Sequence, residues 1–428
     1  MAQAPKQSPK LKRTLGLFEV ILSGLGIILG AGIYALISEA AALAGNALWA
    51  SFLIAAIVAI ITGLSYAELA SIFPKASAEF EYSAQAFDRS TAFVVGWLII
   101  FSGAVGAATV ALGFAGYFQA MFGGPFLLSA LILVALLSVI LFLGITQSTM
   151  VAIAFTLIEA AGLIIIIFLG IPHLGGINYL EMPMGYAGIF QAAALIFFSF
   201  LGFEEIVKLA EETKNPERNI PLGLILAVSA SVILYIFVAF SAVSVLGWEK
   251  LSQSHAPFAD IASDALGKKA SDILSIIAIF ATANTVLLML LAASRITYGM
   301  AESSSLPQIL AQIHPRTRTP WVAILATAAL SMGFVLLDNI GFAAGVANFT
   351  VFFTFIVINA ALIMLRYKKA DLYRPFRVPI AIGRFPFFPL MGIIFNVFML
   401  TQLSIQVLAV GTLLIFSGVI AVLVLKRI

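Results

Sequence analysis

Long apolar blocks separated by short polar links set the pattern of this chain. No Asp, Glu, Lys or Arg occurs between Arg89 and Glu159, and none between Arg384 and Lys426. A helix needs about 20 apolar residues to cross a hydrocarbon core of roughly 30 Å, so each of these runs holds several crossings. Twelve spans are expected, at residues 15–44, 47–72, 91–119, 125–143, 147–170, 187–208, 221–246, 271–298, 320–337, 340–366, 387–403 and 406–425. The Leu/Ile/Ala/Phe blocks do not alternate with polar residues, which argues against a β-barrel.

Composition sharpens this to an all-α integral membrane protein. Of 428 residues, 62% are hydrophobic and 10% charged, where a soluble domain carries about 25% charge. Mean hydropathy is +1.11. Too little charge is present to cover a soluble surface. The net charge of +3 is divided among short links and gives no platform for nucleic acid. Cysteine is absent, which excludes thiolate metal sites and a Cys nucleophile. The N-terminus, with Lys6, Lys10, Lys12 and Arg13, precedes an apolar stretch longer than a signal-peptide core, and so reads as leading into an uncleaved first span.

Charge also orients the chain. With the N-terminus cytoplasmic, 20 of the 23 Lys and Arg residues fall on the inner side and only Lys250, Lys268 and Lys269 outside. An even number of spans in the cell membrane, with both termini inside, is the expectation.

Two spans look interrupted. Gly24-Leu-Gly-Ile-Ile-Leu-Gly30-Ala31-Gly32 weakens span 1, and Phe198-Ser199-Phe200-Leu201-Gly202-Phe203 weakens span 6. Interrupted membrane helices free backbone groups, which is tolerable where they line a cavity or bind something. Breaks five spans apart point to an inverted repeat with a midplane site. Gly26-x-x-x-Gly30 also fits small-residue helix packing. No βαβ unit surrounds these glycines, so a dinucleotide site is excluded.

These residues and the links around them resemble the amino acid–polyamine–organocation superfamily over nearly the whole chain. Ser65-Tyr66-Ala67-Glu68-Leu69, Phe73-Pro74-Lys75 and Tyr82 are similar to its Y-A-E-L…P-x-x-G-G-x-x-Y signature, with Ser77-Ala78 in place of the glycine pair. Gly202-Phe203-Glu204 and the run from Glu211-Glu212 through Asn215-Pro216 and Arg218 to Pro221 are similar to its G-F-[DE]…E-E-x-x-N-P-x-R-x-I-P signature. Ala293-Ser294-Arg295, Tyr298, Ala301, Leu306-Pro307 and Arg318-Thr319-Pro320 resemble the segment after span 8. The pattern looks closest to the cationic amino acid transporter branch.

The resemblance implies a five-plus-five inverted repeat, the LeuT-like fold with discontinuous helices 1 and 6. Residues 1–14 would be a cytoplasmic N-terminus, 15–170 the first repeat and 187–366 the second. Residues 367–428 would hold the last two spans and a cytoplasmic C-terminus. It implies a secondary active amino acid transporter working by alternating access. Proton-coupled uptake is the leading expectation. An exchanger without ion coupling and a non-transporting amino acid receptor stay open. At the positions the family uses, amides around Gly30, Ala31 and Gly32 would hold the substrate carboxylate, aided by the helix dipole. Carbonyls of Ile28, Phe198 and Leu201, with Ser199 beside them, would hold the ammonium.

Ser102, Thr282, Asn284 and Phe349 are candidate lining residues, and Phe200 and Phe203 candidate gates; helix–helix contacts are the competing role for each. Glu159 sits near the centre of span 5, where a charge costs roughly 2.5–3.5 kcal/mol. In the resemblance it falls where some family members carry a lysine, beside span 1 near Gly26. It would either cycle a proton or attract a cation during transport, or serve as a permanently protonated structural donor. Glu204 is a second coupling candidate, with a helical pair to Lys208 as the alternative. His173, His255 and His314 lie in separate connections. No catalytic motif, metal cluster or P-loop is visible, so neither enzyme chemistry nor a cofactor is expected. The expected partners are the amino acid, protons and the lipid bilayer; oligomeric state has no sequence signal.

Overall fold

The computed structural model describes residues 13–74, 78–144 and 149–425. Lys6, Lys10, Lys12, Lys75, Ser77, Lys426 and Arg427, which entered the charge pattern and the motifs, lie outside them. The described residues are almost entirely helical. In chain order they form α1 (Leu17–Ile28), α2 (Gly32–Ala44), α3 (Leu48–Ile72), α4 (Ala78–Ala86), α5 (Arg89–Phe122), α6 (Phe126–Leu143), α7 (Thr149–Gly170) and α8 (Gly185–Ile196). Then come α9 (Pro216–Ser252), α10 (Pro257–Leu266), α11 (Lys268–Glu302), α12 (Trp321–Val335), α13 (Ile340–Lys368), α14 (Phe387–Thr401) and α15 (Ile405–Leu425). A two-stranded hairpin, Ala381–Ile382 with Phe385–Pro386, precedes α14.

Nine stretches of the described residues are long and apolar enough to cross a membrane. The shorter apolar helices α1, α12 and α14 fall within the expected first, ninth and eleventh spans. Helix α6 shows why these elements suit lipid rather than water. Leu128, Ile132, Leu136, Val139 and Leu143 form an exposed stripe, while Ala130, Leu133, Val134, Leu137 and Leu141 pack inward. Both faces are apolar, and only a hydrocarbon environment makes the outer one cheap. Helix α15 does the same with Leu413, Phe416, Ile420 and Leu423.

Local chemistry sets the helix ends. The Asp88 carboxylate accepts the Thr91 amide at 2.7 Å to start α5, and the Asn339 side chain accepts the Phe342 amide at 2.8 Å to start α13. Helix α9 turns at Gly247, where φ is +72°, a conformation that glycine adopts without steric cost.

The first break is as expected: α1 stops at Ile28 and α2 resumes at Gly32. The second runs further than expected. Helix α8 gives way to a 3-10 turn at Phe197–Phe200, then Leu201 and Gly202 (φ +110°), then 3-10 winding over Phe203–Glu212. The expected span at 187–208, interrupted over Phe198–Phe203, does not return to α-helix after its break: 3-10 winding runs on from Phe203 to Glu212. A Cβ on Gly202 would lie 2.5 Å from Ile27 Cγ2, so the chain can pass α1 here only as glycine.

Two tethers hold the broken segments. Leu15 pairs with Thr213 in a parallel bridge; the Thr14 amide reaches Glu212 O at 2.9 Å and the Lys214 amide reaches Leu15 O at 2.8 Å. The start of α1 and the end of the Phe203–Glu212 segment thus share backbone hydrogen bonds. Elsewhere, Glu68 of α3 is fully buried and faces Arg366 of α13. Arg366 Nε donates to Glu68 Oε1 at 3.0 Å and Nη2 to Oε2. The Val378 amide donates to Glu68 Oε2 at 2.7 Å, and Arg374 stands 3.3 Å from the same carboxylate.

Candidate functional site

The two breaks meet. A Cβ on Gly32 would sit 2.6 Å from Ser199 Cα and 3.1 Å from its nitrogen, so backbone approaches backbone where α2 begins. Freed groups on both sides are satisfied by side chains from other helices. The Tyr235 hydroxyl of α9 lies 2.6 Å from Ile28 O and 3.0 Å from Ser199 O, so its one proton stands between carbonyls of both breaks. The Ala31 amide donates to Thr285 Oγ1 at 3.0 Å. Asn348 Nδ2 of α13 donates to Ala194 O and Leu195 O, each at 2.8 Å, where α8 runs out of helical partners. The expectation of a free Ala31 amide and a free Ile28 carbonyl is therefore corrected: in this conformation Thr285 and Tyr235 occupy them. The Phe198 carbonyl accepts the Leu201 amide at 3.2 Å.

Beneath the breaks lies a cavity of about 300 Å³. Gly26, Ser102, Leu201, Glu204 and Thr285 share its wall with aliphatic side chains such as Ile27, Leu288 and Met289. Ile99, Glu205 and Ile296 connect it to a wider space of about 640 Å³ that reaches exposed Arg295 and Ser303. On the other side of the breaks the described residues pack tightly. A Cβ on Gly116 would lie 1.9 Å from His255 O, and one on Gly113 would lie 2.5 Å from Ala35 Cβ. Tyr117 donates to Tyr34 O at 3.0 Å, and the Tyr34 ring packs on Phe258 with centroids 4.7 Å apart.

Glu159 of α7 is buried, at 1% exposure. Its Oε1 accepts Asn284 Nδ2 of α11 at 3.3 Å, and its Oε2 has no hydrogen-bond partner. Tyr34 donates to its backbone carbonyl at 2.8 Å. One turn earlier, Thr156 presses on Gly26, where a Cβ would lie 1.9 Å from Thr156 Oγ1. Gly26, Glu159 and Asn284 thus stand together where α1, α7 and α11 cross.

The other sequence candidates divide. Ser102 lines the cavity. Phe200 packs against Tyr235 and Phe52, and Phe203 against Tyr66 and Phe355; both are buried side chains at the breaks. Thr282 spends its hydroxyl on the Ala278 carbonyl of its own helix at 2.6 Å. Phe349 fits against Gly411 of α15, away from the cavity. Glu204 accepts the Gly202 amide at 3.0 Å and does not take Lys208 as partner. Lys208 binds Glu205 and stands 3.9 Å from Glu79. The reason is the 3-10 winding, which brings residues three apart into register in place of four. Burial raises the Glu79 carboxyl above its ordinary pKa, against the pull of the Lys208 ammonium.

Residues 15–425 match the family model described as amino acid permease. The chain belongs to this family of the amino acid–polyamine–organocation superfamily. The permease chain is 31% identical to the branched-chain amino acid permease BcaP of Bacillus subtilis, over 92% of this chain and 89% of that one. It is 30% identical to the methylthioribose transporter of the same organism, over 96% and 95%. Cationic amino acid transporter 4, vacuolar, of Arabidopsis thaliana is 28% identical over 85% of this chain and 64% of its own. The family and these relatives are transporters rather than enzymes, and this permease is a membrane transport protein.

Sequence reasoning missed Tyr235, Thr285 and Asn348. Asn348 carried a signal, being an amide in an otherwise apolar stretch. Tyr235 and Thr285 carried none, because only the crossing of helices tells a break-satisfying hydroxyl from an ordinary one.

Proposed function

We propose that this permease is a secondary active amino acid transporter of the cell membrane, taking up substrate by alternating access with proton coupling. The observation that carries the reading is the meeting of two helix breaks at Gly32 and Ser199, directly above a cavity whose neighbouring space reaches exposed Arg295 and Ser303. Peptide groups at Gly30, Ala31 and Gly32 would receive the substrate carboxylate, and carbonyls of Ile28, Phe198 and Leu201, beside Ser199, its ammonium. Substrate would displace the Tyr235 and Thr285 hydroxyls that occupy two of these groups. Twelve spans, a five-plus-five inverted repeat and termini on the inner side complete the reading. The positive-inside pattern supports the orientation, and the shared Leu15–Thr213 bridge lets the inner halves of spans 1 and 6 move together.

Glu159 is the proposed coupling group. An ionised carboxylate with one oxygen unpartnered is costly at this depth, so gaining or losing a proton changes how α1, α7 and α11 can pack. The test is uptake of labelled amino acids, across the twenty standard ones, into proteoliposomes of the purified permease. With the outside more acidic, wild-type uptake of its substrates rises several-fold and a protonophore removes the rise. Glu159→Gln keeps counterflow but takes up label equally with and without the gradient. Uptake only into preloaded vesicles would make the protein an exchanger. Binding without flux would make it a receptor.

A further inference from the structure

The end of α13 and the link that follows it, residues 369–386, are rich in cations, and the structure uses them in two ways. Some hold the link in place. Arg374 donates to the carbonyls of Leu365 at 3.1 Å, Lys369 at 3.0 Å and Leu372 at 2.8 Å. Lys368 donates to Ala86 O at 2.9 Å, and Lys369 to Gln85 Oε1. The Val378 amide on Glu68 ties the same link to α3. Arg377 and Arg384 are different: both are exposed, and neither has a hydrogen bond or ion pair among the described residues. Asp371 is the single acidic residue of the link.

Helix lengths set the depth of this link. Helix α15 has 21 residues, which is just enough to cross a hydrocarbon core of roughly 30 Å. Helix α14 has 15 residues, or about 22 Å. Only residues 402–404 join the two, so their ends on that side share a level. The remaining depth, about 8 Å, falls to the residues just before α14. Those residues are the hairpin, in which Ile382 pairs with Phe385 and Gly383 and Arg384 form the turn. The Phe387 amide donates to Ile380 O at 3.0 Å. Backbone this close to hydrocarbon needs such partners. The side chains agree with the placement, since Ile380 is 64% exposed, Ile382 79% and Tyr373 84%. Apolar side chains held outward on a short hairpin suit a bilayer boundary, where a tyrosine also sits well.

We infer that the hairpin before α14 is a lipid-docking surface: Ile380 and Ile382 enter the edge of the bilayer, and Arg377 and Arg384 bind the phosphates of anionic phospholipids. A guanidinium matches phosphate oxygens with two parallel hydrogen bonds. An anionic headgroup leaves that charge unopposed, whereas the choline of phosphatidylcholine offsets it. Each basic residue near such a surface favours the anionic lipid by roughly fivefold. The base of the link is fixed by Arg374 and by Val378 on Glu68, so the hairpin presents its two free cations from a rigid support. The inference goes beyond the transport reading and does not depend on what is carried. It needs only that α14 and α15 cross the membrane.

The test places one bimane label at Ile382→Cys in the full-length permease, which has no cysteine of its own. The protein is reconstituted in nanodiscs of phosphatidylcholine and phosphatidylglycerol in equal amounts, with one lipid or the other brominated as a quencher. Both forms are expected to quench the label, with phosphatidylglycerol favoured beside it at least fivefold. Arg377→Gln together with Arg384→Gln, both at exposed positions that leave the Glu68 contacts intact, brings the two lipids level. The same label at Leu413→Cys, on the exposed face of α15, is quenched equally by both lipids throughout. Tyr373→Cys carries the label if the Ile382 variant does not fold. A label that neither lipid quenches puts the hairpin in water and overturns the docking surface. Equal quenching in the presence of both arginines overturns the headgroup sites, as does a preference that survives their removal. None of these outcomes bears on the transport reading, which the uptake assay tests separately.

Discussion

Tyr235 shows how one side chain allows two membrane helices to be broken at the same depth. Its hydroxyl lies within hydrogen-bond distance of Ile28 O and Ser199 O, carbonyls that helical continuity would otherwise have satisfied. Tyr235→Phe keeps the ring, its packing on Phe200 and Phe52, and its volume, and removes only the donor. The expected cost is about 1–3 kcal/mol for buried acceptors left unpaired, read as a lower unfolding temperature of the purified protein in detergent. An unchanged transition would mean that water replaces the hydroxyl without loss. At this scale the sequence was legible where a residue is out of place in lipid, as Glu159 is. It was illegible where the residue is ordinary and its partner lies 207 positions away, as for Tyr235 and Ile28.

At the scale of elements, 3-10 winding over Phe203–Glu212 decides the chemistry of the cavity wall. An α-helix there would have paired Glu204 with Lys208 and hidden the charge. The observed winding pairs Lys208 with Glu205 and leaves Glu204 on the cavity. Helices α3 and α13 are joined by Glu68 and Arg366. Removing one member of a buried pair strands the other, so Arg366→Met should cost roughly 3–5 kcal/mol. Glu68→Gln with Arg366→Met should recover part of that loss. Equilibrium unfolding of the wild type, both single variants and the double variant measures it as a cycle. Additive losses would show that the pair is not coupled. The Y-A-E-L motif marked Glu68 in the sequence, but its partner could not be read from there, because Arg366 lies in another span and Arg374 in the link that follows it.

The whole molecule is asymmetric about the breaks. The main cavity adjoins a space that reaches exposed Arg295 and Ser303, while on the other side of the breaks Gly113 and Gly116 are in close contact with Ala35 and His255, and Tyr34, Tyr117 and Phe258 pack together. The chain has no cysteine, so single reporters carry no background. Without substrate, Ser303→Cys should react rapidly with an impermeant maleimide from the inner face, and Ala259→Cys on α10 should not react from either face. Equal labelling of the two would contradict that difference in packing.

Composition and the spacing of apolar blocks were enough to establish a helical membrane protein, the positions of its apolar helices and the two places where helicity fails. Those properties follow from the local balance between burying side chains in lipid and satisfying each residue's own backbone. Only the tertiary structure decided which side chains satisfy the broken backbone, which carboxylate Lys208 neutralises and where the space beside the cavity reaches the surface. Each of these depends on helices far apart in sequence meeting at a few ångströms, where one residue's shift in winding changes every partner.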